Sequence, residues 1–275
     1  MGRVAALESQ AELHHMRVAG TEVCWRRFGT GPVLVLLHGG HGSWLHWVRN
    51  IEVLAGRFTV WVPDMPGYGD SGAVPPPGDL AALLRAMVAS LDALIGSATP
   101  IRLAGFSFGG LVATQLASAR PAVTQLALLG SAGHGTVRRP LGKLRGWKAA
   151  AAADDTEALT DVMRHNLGVH MLHAQGQDID PLALEVHTRA CLRTRFRSKE
   201  ISHRVLIGPM LEALPAALLL TWGAHDVTAD PQAVVNSLAT GHAARSTRII
   251  EGAGHWVQYE QADAVNALLL QWLQQ

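Results

Sequence analysis

Short apolar runs alternate with longer amphipathic ones along most of the chain. Val33 to Leu37 is an unbroken run of Val and Leu, the pattern of a strand buried on both faces. Val23 to Phe28, Thr59 to Val62, Ile101 to Phe106, Gln125 to Leu129, Ala217 to Trp222 and Arg248 to Ile250 also read as strands. Between them, Leu80, Leu83, Leu84, Met87, Leu91 and Leu94 recur at helical spacing and predict a helix over 80–95. Asp79 is its expected N-cap and Gly96 its stop. Gly109 to Ala119 reads as a second helix, ended before Pro121, and Ala262 to Leu273 as a closing one. Strand–helix–strand repetition predicts an α/β fold: a mainly parallel sheet with helices on both faces.

The alternation breaks from about His134 to Leu214, where the pattern is helix-like and more charged, with Val205 to Ile207 as the one strand-like stretch. An insertion leaving and rejoining the sheet there would sit over the carboxyl ends of the strands, where α/β folds bind ligands. Its apolar residues Leu159, Met163, Leu167, Met171 and Leu172 are expected to pack on one another rather than to line a pocket.

Composition narrows the field. The chain has 275 residues, 16% of them charged, and a formal net charge of +1, so nothing suggests a nucleic-acid partner. No apolar run approaches the roughly 18 residues that cross a bilayer, and residues 1–16 lack the apolar core of a signal peptide. The expectation is a cytoplasmic protein with a small-molecule substrate and no membrane or cofactor requirement; a homodimer is compatible with it. The two cysteines, Cys24 and Cys191, form no disulfide framework and no metal-ligand spacing, and read as small buried hydrophobes. The local basic run of Arg193, Arg195, Arg197 and Lys199 reads as a solvated helix face, with a substrate-carboxylate site as the alternative.

One pentapeptide carries the chemistry. Gly105-Phe106-Ser107-Phe108-Gly109 joins an apolar strand to a helix, and a G-x-S-x-G in that setting lifts a serine hydroxyl out of a sheet. A serine needs a base, and the base needs an orienting carboxylate. Past the later strands stand Asp226, in Thr-Trp-Gly-Ala-His-Asp, and His255, in Glu-Gly-Ala-Gly-His-Trp. Each follows a buried strand beside glycine, where catalytic loops form. Asp230, before Pro231, reads instead as a helix N-cap. His38-Gly39-Gly40-His41-Gly42 follows another strand, and its glycines let amides turn towards a ligand. Gly40 N–H and Phe108 N–H are the expected oxyanion donors, with His38 supporting the loop. No Gly-Lys-Ser/Thr is present there, which argues against a phosphate loop. Asp64 to Ser71, rich in Pro and Gly, reads as a structural turn.

These motifs together resemble the α/β-hydrolase superfamily, in particular its capped members: Leu37-His38-Gly39-Gly40, Asp64-x-Pro-Gly-x-Gly-x-Ser71, Gly105-x-Ser-x-Gly109, Gly223-x-x-Asp226 and Gly254-His255, in the family's order. The resemblance implies a mostly parallel eight-stranded sheet, a core of residues 1–133 and 215–275, and a helical cap of residues 134–214. Ser107 stands where haloalkane dehalogenases and epoxide hydrolases carry Asp, which argues against both activities. The segment Gly254 to Glu260, with Trp256 after the histidine, resembles the C–C hydrolases of meta-cleavage products. Those carry Asn before the serine, where Phe106 stands here, and a cap Arg for the substrate carboxylate, for which Arg189, Arg193 and Arg195 are the candidates. Phe106 and Trp256 are further substrate-contact candidates. The ranking is a serine esterase acting through Ser107, Asp226 and His255, then a C–C hydrolase, then a ligand receptor on a hydrolase fold.

Overall fold

The computed structural model describes residues 2–274. Eight strands form one sheet: β1 (Glu12–Val18), β2 (Thr21–Phe28), β3 (Val33–Leu37), β4 (Thr59–Asp64), β5 (Ile101–Phe106), β6 (Val123–Leu129), β7 (Ala217–Gly223) and β8 (Arg245–Ile250). Their order is β1-β2-β4-β3-β5-β6-β7-β8. β2 runs antiparallel to β1 and β4, and the six strands from β4 to β8 are parallel. The predicted α/β architecture is therefore present, with one antiparallel edge.

The central strands divide their side chains between two cores, as a pleated strand must. Leu34, Leu36, Val60, Val62, Ala104, Ala127 and Leu219 enter one, and Val35, Leu37, Trp61, Leu103, Leu126, Leu128 and Leu220 the other. The α-helices among the described residues are α1 (Arg3–Gln10), α2 (Ile51–Ala55), α3 (Leu80–Ile95), α4 (Phe108–Ala119), α5 (Lys148–Ala152), α6 (Thr156–Asn166), α7 (Pro181–Leu192), α8 (Lys199–Arg204), α9 (Gly208–Glu212), α10 (Pro231–Ala239), α11 (Val257–Glu260) and α12 (Ala262–Leu273). Ile51, Leu54, Val265 and Leu269 of α2 and α12 cover the first face. Leu83, Met87, Leu111, Leu116, Val234 and Leu238 of α3, α4 and α10 cover the second. Asp79 and Asp230 cap α3 and α10, accepting from the amides of Ala82 and Ala233, each such cap contributing about 1 kcal/mol.

Two expectations change. Glu12–Val18 is a strand that the hydrophobic pattern hid, because this edge strand has no fully buried residue; it is held by the β2 ladder across the turn Ala19-Gly20. Both turn residues have positive φ, 49° and 80°, as a two-residue turn matched to strand twist requires. Val205 to Ile207 is not a strand: it links α8 to α9, and the Ile207 amide donates to the Gly133 carbonyl.

Between β6 and β7 lie α5 to α9. Leu167, Leu172, Ile179, Ala183 and Val186 anchor this segment in the first core, while Met171 also reaches a cavity wall. Among the described residues no helix is long and apolar enough to cross a membrane.

The turn after β5 depends on close backbone packing. A Cβ on Gly105 would collide with the backbone of Gly109 and Gly110, and one on Gly109 with the carbonyls of Leu37 and His38. Gly146 has open space around its Cβ position. Gly105→Ala should therefore cost about 3 kcal/mol, and Gly146→Ala less than about 0.5 kcal/mol, measured by urea unfolding. Equal effects would contradict this packing account.

Candidate active site

Ser107 ends β5 and opens α4 with φ 54° and ψ −120°, a region that costs a residue with a side chain about 1–3 kcal/mol. Its amide donates to the Leu129 carbonyl of the neighbouring strand at 3.0 Å, and its carbonyl accepts from the amides of Gly110 and Ala132, both at 2.9 Å. These bonds hold the hydroxyl above the sheet, at the N-terminal end of a 12-residue helix.

The fold brings Ser107 to His255 and His255 to Asp226. His255 Nε2 lies 2.9 Å from Ser107 Oγ, and its Nδ1 lies 2.9 Å from Asp226 Oδ2. With Nδ1–H donating to the carboxylate, Nε2 is left to accept from the serine hydroxyl. Asp226 and His255 are almost fully enclosed, at 3% and 4% exposure. Burial alone would raise the Asp226 carboxyl, but the charge and hydrogen bond of His255, with two hydrogen bonds from Thr228, hold it below its ordinary value. Thr228 N and Oγ1 donate to Asp226 Oδ1 at 2.7 and 2.8 Å. Sequence reasoning missed Thr228; the Asp-x-Thr spacing, which favours such a local turn, was the available signal. The His255 loop is tied at both ends: the Gly254 amide donates to Glu260 Oε2 at 2.7 Å and the Trp256 amide to the Met171 carbonyl at 2.7 Å.

The loop after β3 presents the second group of donors. His38 Nδ1–H donates to the Gly39 carbonyl at 2.8 Å, while its Nε2 accepts from the Met65 amide at 3.0 Å. The Gly39 amide donates to His46 Nδ1 at 3.1 Å. Burial lowers the pKa of both imidazoles, which keeps their accepting nitrogens bare. With the Gly39 carbonyl pinned on one side, the Gly40 N–H across the same peptide plane is aimed the other way. The Gly40 and Phe108 amides donate to no protein acceptor among the described residues. The Asp64 turn braces this loop: Asp64 Oδ1 accepts from the Trp44 amide at 2.9 Å, and Oδ2 from the Asp70 amide at 3.0 Å and from Arg26 at 3.1 Å.

A cavity of about 220 Å³ opens on Ser107, and Gly40, Phe106, Phe108 and His255 are among its lining residues. The Phe106 ring lies 5.0 Å from that of His255. Trp256 is not on this wall: it is fully buried, its indole N–H donates to the His46 carbonyl at 2.9 Å, and it stacks on Tyr259 at 4.2 Å. The three arginine candidates are also engaged elsewhere. Arg189 pairs with Glu8 at 2.5 Å, Arg193 pairs with Asp70, and Arg195 donates to the carbonyls of Gly69 and Ser71. None of the three lines the cavity, because α7 and the loop after it turn these side chains towards α1 and the Asp64 turn. The cations on the wall are Arg138, Arg145 and Lys199, which no periodicity marks. Cys191 reaches the wall too, a buried thiol pushed up to about 12 by its surroundings. Among the described residues no cluster of three or more His, Cys, Asp or Glu is placed to hold a metal ion.

Residues 34–268 match the model of the alpha/beta hydrolase family. The chain is 28% identical over 275 residues to the dihydrolipoyllysine-residue acetyltransferase component of the acetoin cleaving system of Pseudomonas putida, covering 93% of this chain and 68% of that one. It is 28% identical over 257 residues to the 2-hydroxy-6-oxononadienedioate/2-hydroxy-6-oxononatrienedioate hydrolase of Escherichia coli, covering 87% and 86%. A shorter match, 39% over 95 residues, joins it to pimeloyl-[acyl-carrier protein] methyl ester esterase of Aeromonas hydrophila, about a third of either chain (34% and 35%). Among solved structures, carboxylesterase CesB of Bacillus subtilis has the same fold, with a TM-score of 0.74, 19% identity and coverage of 98% and 94%.

Two buried wall histidines set an acid limit. Burial pushes His134 and His187 down to about 4, below the roughly 6.5 of an unfolded chain. Each binds its proton more weakly when folded, so stability is full above about pH 6.5 and drains as pH falls towards 4. Thermal unfolding should show a flat Tm from pH 7 to 8 and a decline from 6.5 to 4, with a shallower slope in His187→Leu. A Tm that rises on acidification would contradict this.

Proposed function

The chain belongs to the alpha/beta hydrolase family, and from that premise we propose that it is a serine esterase that cleaves small carboxylic esters through an acyl-enzyme. The observation that carries this reading is the continuous hydrogen-bonded relay Asp226–His255–Ser107, 2.9 Å at each link, with a bare imidazole nitrogen facing the hydroxyl.

In this mechanism Ser107 Oγ attacks the ester carbonyl as His255 Nε2 takes its proton. Asp226, fixed by Thr228, holds the Nδ1–H tautomer and stabilises the imidazolium. The Gly40 and Phe108 amides receive the developing oxyanion, each worth about 3 kcal/mol in the transition state. His255 then protonates the leaving alcohol, and water, deprotonated by the same nitrogen, releases the acid. Residues 134–214 serve as a cap over the strand ends, and Phe106 supplies an apolar wall beside the reacting carbonyl.

C–C cleavage of a 2-hydroxy-6-oxo-dienoate is the second reading, favoured by the Escherichia coli relative that aligns over most of both chains. Phe106 stands before the serine where Asn is expected for it, and none of Arg189, Arg193 and Arg195 lines the cavity; we therefore rank it behind ester cleavage.

Stopped-flow kinetics with p-nitrophenyl acetate should show a burst and steady turnover. Ser107→Ala should abolish the burst and lower kcat by about 10⁴-fold or more. Turnover unchanged in Ser107→Ala would overturn the nucleophile assignment. A dienoate hydrolysed far faster than every ester would move the assignment to C–C cleavage.

A further inference from the structure

The cavity wall is cationic and carries no carboxylate. Arg138, Arg145 and Lys199 line it, and no Asp or Glu does. Arg138 differs from its counterparts elsewhere in the fold. Every other buried or half-buried arginine among the described residues has an acceptor. Arg26, Arg27, Arg49, Arg120, Arg189 and Arg245 meet carboxylates, and Arg102 and Arg164 meet carbonyls. The half-buried Arg138 guanidinium makes no hydrogen bond or ion pair with the described residues.

That arrangement is unfavourable by itself, because a charge drawn from water without a partner loses solvation and gains nothing in return. Burial is accordingly the main influence on the group and lowers its pKa, with the field of Asp226 opposing. Asp226 is not its partner: no hydrogen bond or ion pair joins the two, and the Asp226 oxygens meet Thr228 and His255. Arg138 lines the same cavity as Ser107. A guanidinium fork is matched by a planar carboxylate, which it grips through two parallel hydrogen bonds.

We propose that Arg138 is a specificity-determining residue that seats a carboxylate on the substrate, so that the preferred substrates are esters bearing a free acid group, such as half-esters of dicarboxylic acids. Lys199 and Arg145, exposed on the same wall, attract the anion to the mouth, and Arg138 fixes it inside. This rests on the esterase reading for the reaction, while the anion site stands on the Arg138 geometry alone.

The test compares two esters of matched length, p-nitrophenyl hydrogen glutarate and p-nitrophenyl pentanoate. The wild-type enzyme should favour the anionic ester by about 10-fold or more in kcat/KM, the factor expected of one hydrogen-bonded ion pair. Arg138→Gln should erase most of that discrimination through KM, while Arg189→Gln, on α7 and paired with Glu8, should retain it. In parallel, calorimetry on Ser107→Ala, which forms no acyl-enzyme, should show monomethyl glutarate binding that weakens about 10-fold or more when Arg138→Gln is added. Equal use of the two esters, or an Arg138→Gln that slows both alike, would overturn the proposal while leaving the esterase reading intact. Arg138-dependent glutarate binding without turnover of any ester would keep the anion site and sink the esterase reading. Binding of inorganic phosphate in place of the glutarate would overturn the carboxylate assignment.

Discussion

Everything at this site hangs from one residue's backbone. Ser107 occupies φ 54°, ψ −120°, a conformation a side chain resists, and the surroundings enforce it. Hydrogen bonds to Leu129 of β6, to Ala132 after it and to Gly110 in the first turn of α4 fix its amide and carbonyl. Gly105, Gly109 and Gly110 let α4 lie against β3, β5 and the segment after β6 with no room for a single methyl group. Strain of this kind persists only where packing over-determines it. The two cores that sandwich the sheet supply that packing, so the fold's stability is the source of the hydroxyl's position.

The same logic extends to the groups around the hydroxyl. Neutral, buried His38 and His46 tie both polar groups of Gly39, Thr228 holds Asp226, and Glu260 holds the loop of His255. On the proposed reading, donors and acceptors are thus oriented before a substrate arrives, and little reorganisation is left for the chemical step. The half-buried Arg138 is the exception, a donor without an acceptor among the described residues.

Where one local force decided the structure, it was readable in the sequence. The apolar stripe of α3, with Asp79 before it and Gly96 after, gave both ends of that helix, and the Val/Leu run of β3 gave a buried strand. β1 was hidden because it is an edge: Glu12, His14, His15 and Arg17 earn their strand conformation from the β2 ladder, not from burial. The spacing of Ser107, Asp226 and His255 along the chain was legible because each follows a strand beside glycine, although β8, the edge strand before His255, has no fully buried residue and was not the buried strand expected there. The cavity wall was not. Beyond the loops that carry Gly40, Ser107 and His255, it is built from loops and helices between β6 and β7. Arg189, Arg193 and Arg195 drew attention as a cluster, yet tertiary pairing with Glu8, Asp70 and the Gly69–Ser71 carbonyls turned them outward. The acid-free stretch from His134 to Lys148, which contains Arg138, was the quieter and more informative signal.

The central claim is that this turn makes Ser107 the atom that takes the acyl group. Rapid acid quench of the enzyme mixed with p-nitrophenyl butyrate, followed by peptide mass mapping, tests it directly. The account predicts a transient butyryl adduct confined to the peptide that holds Ser107 and absent when Gly105 is replaced by valine. Turnover that proceeds with no adduct, or with the adduct on another side chain, would contradict it.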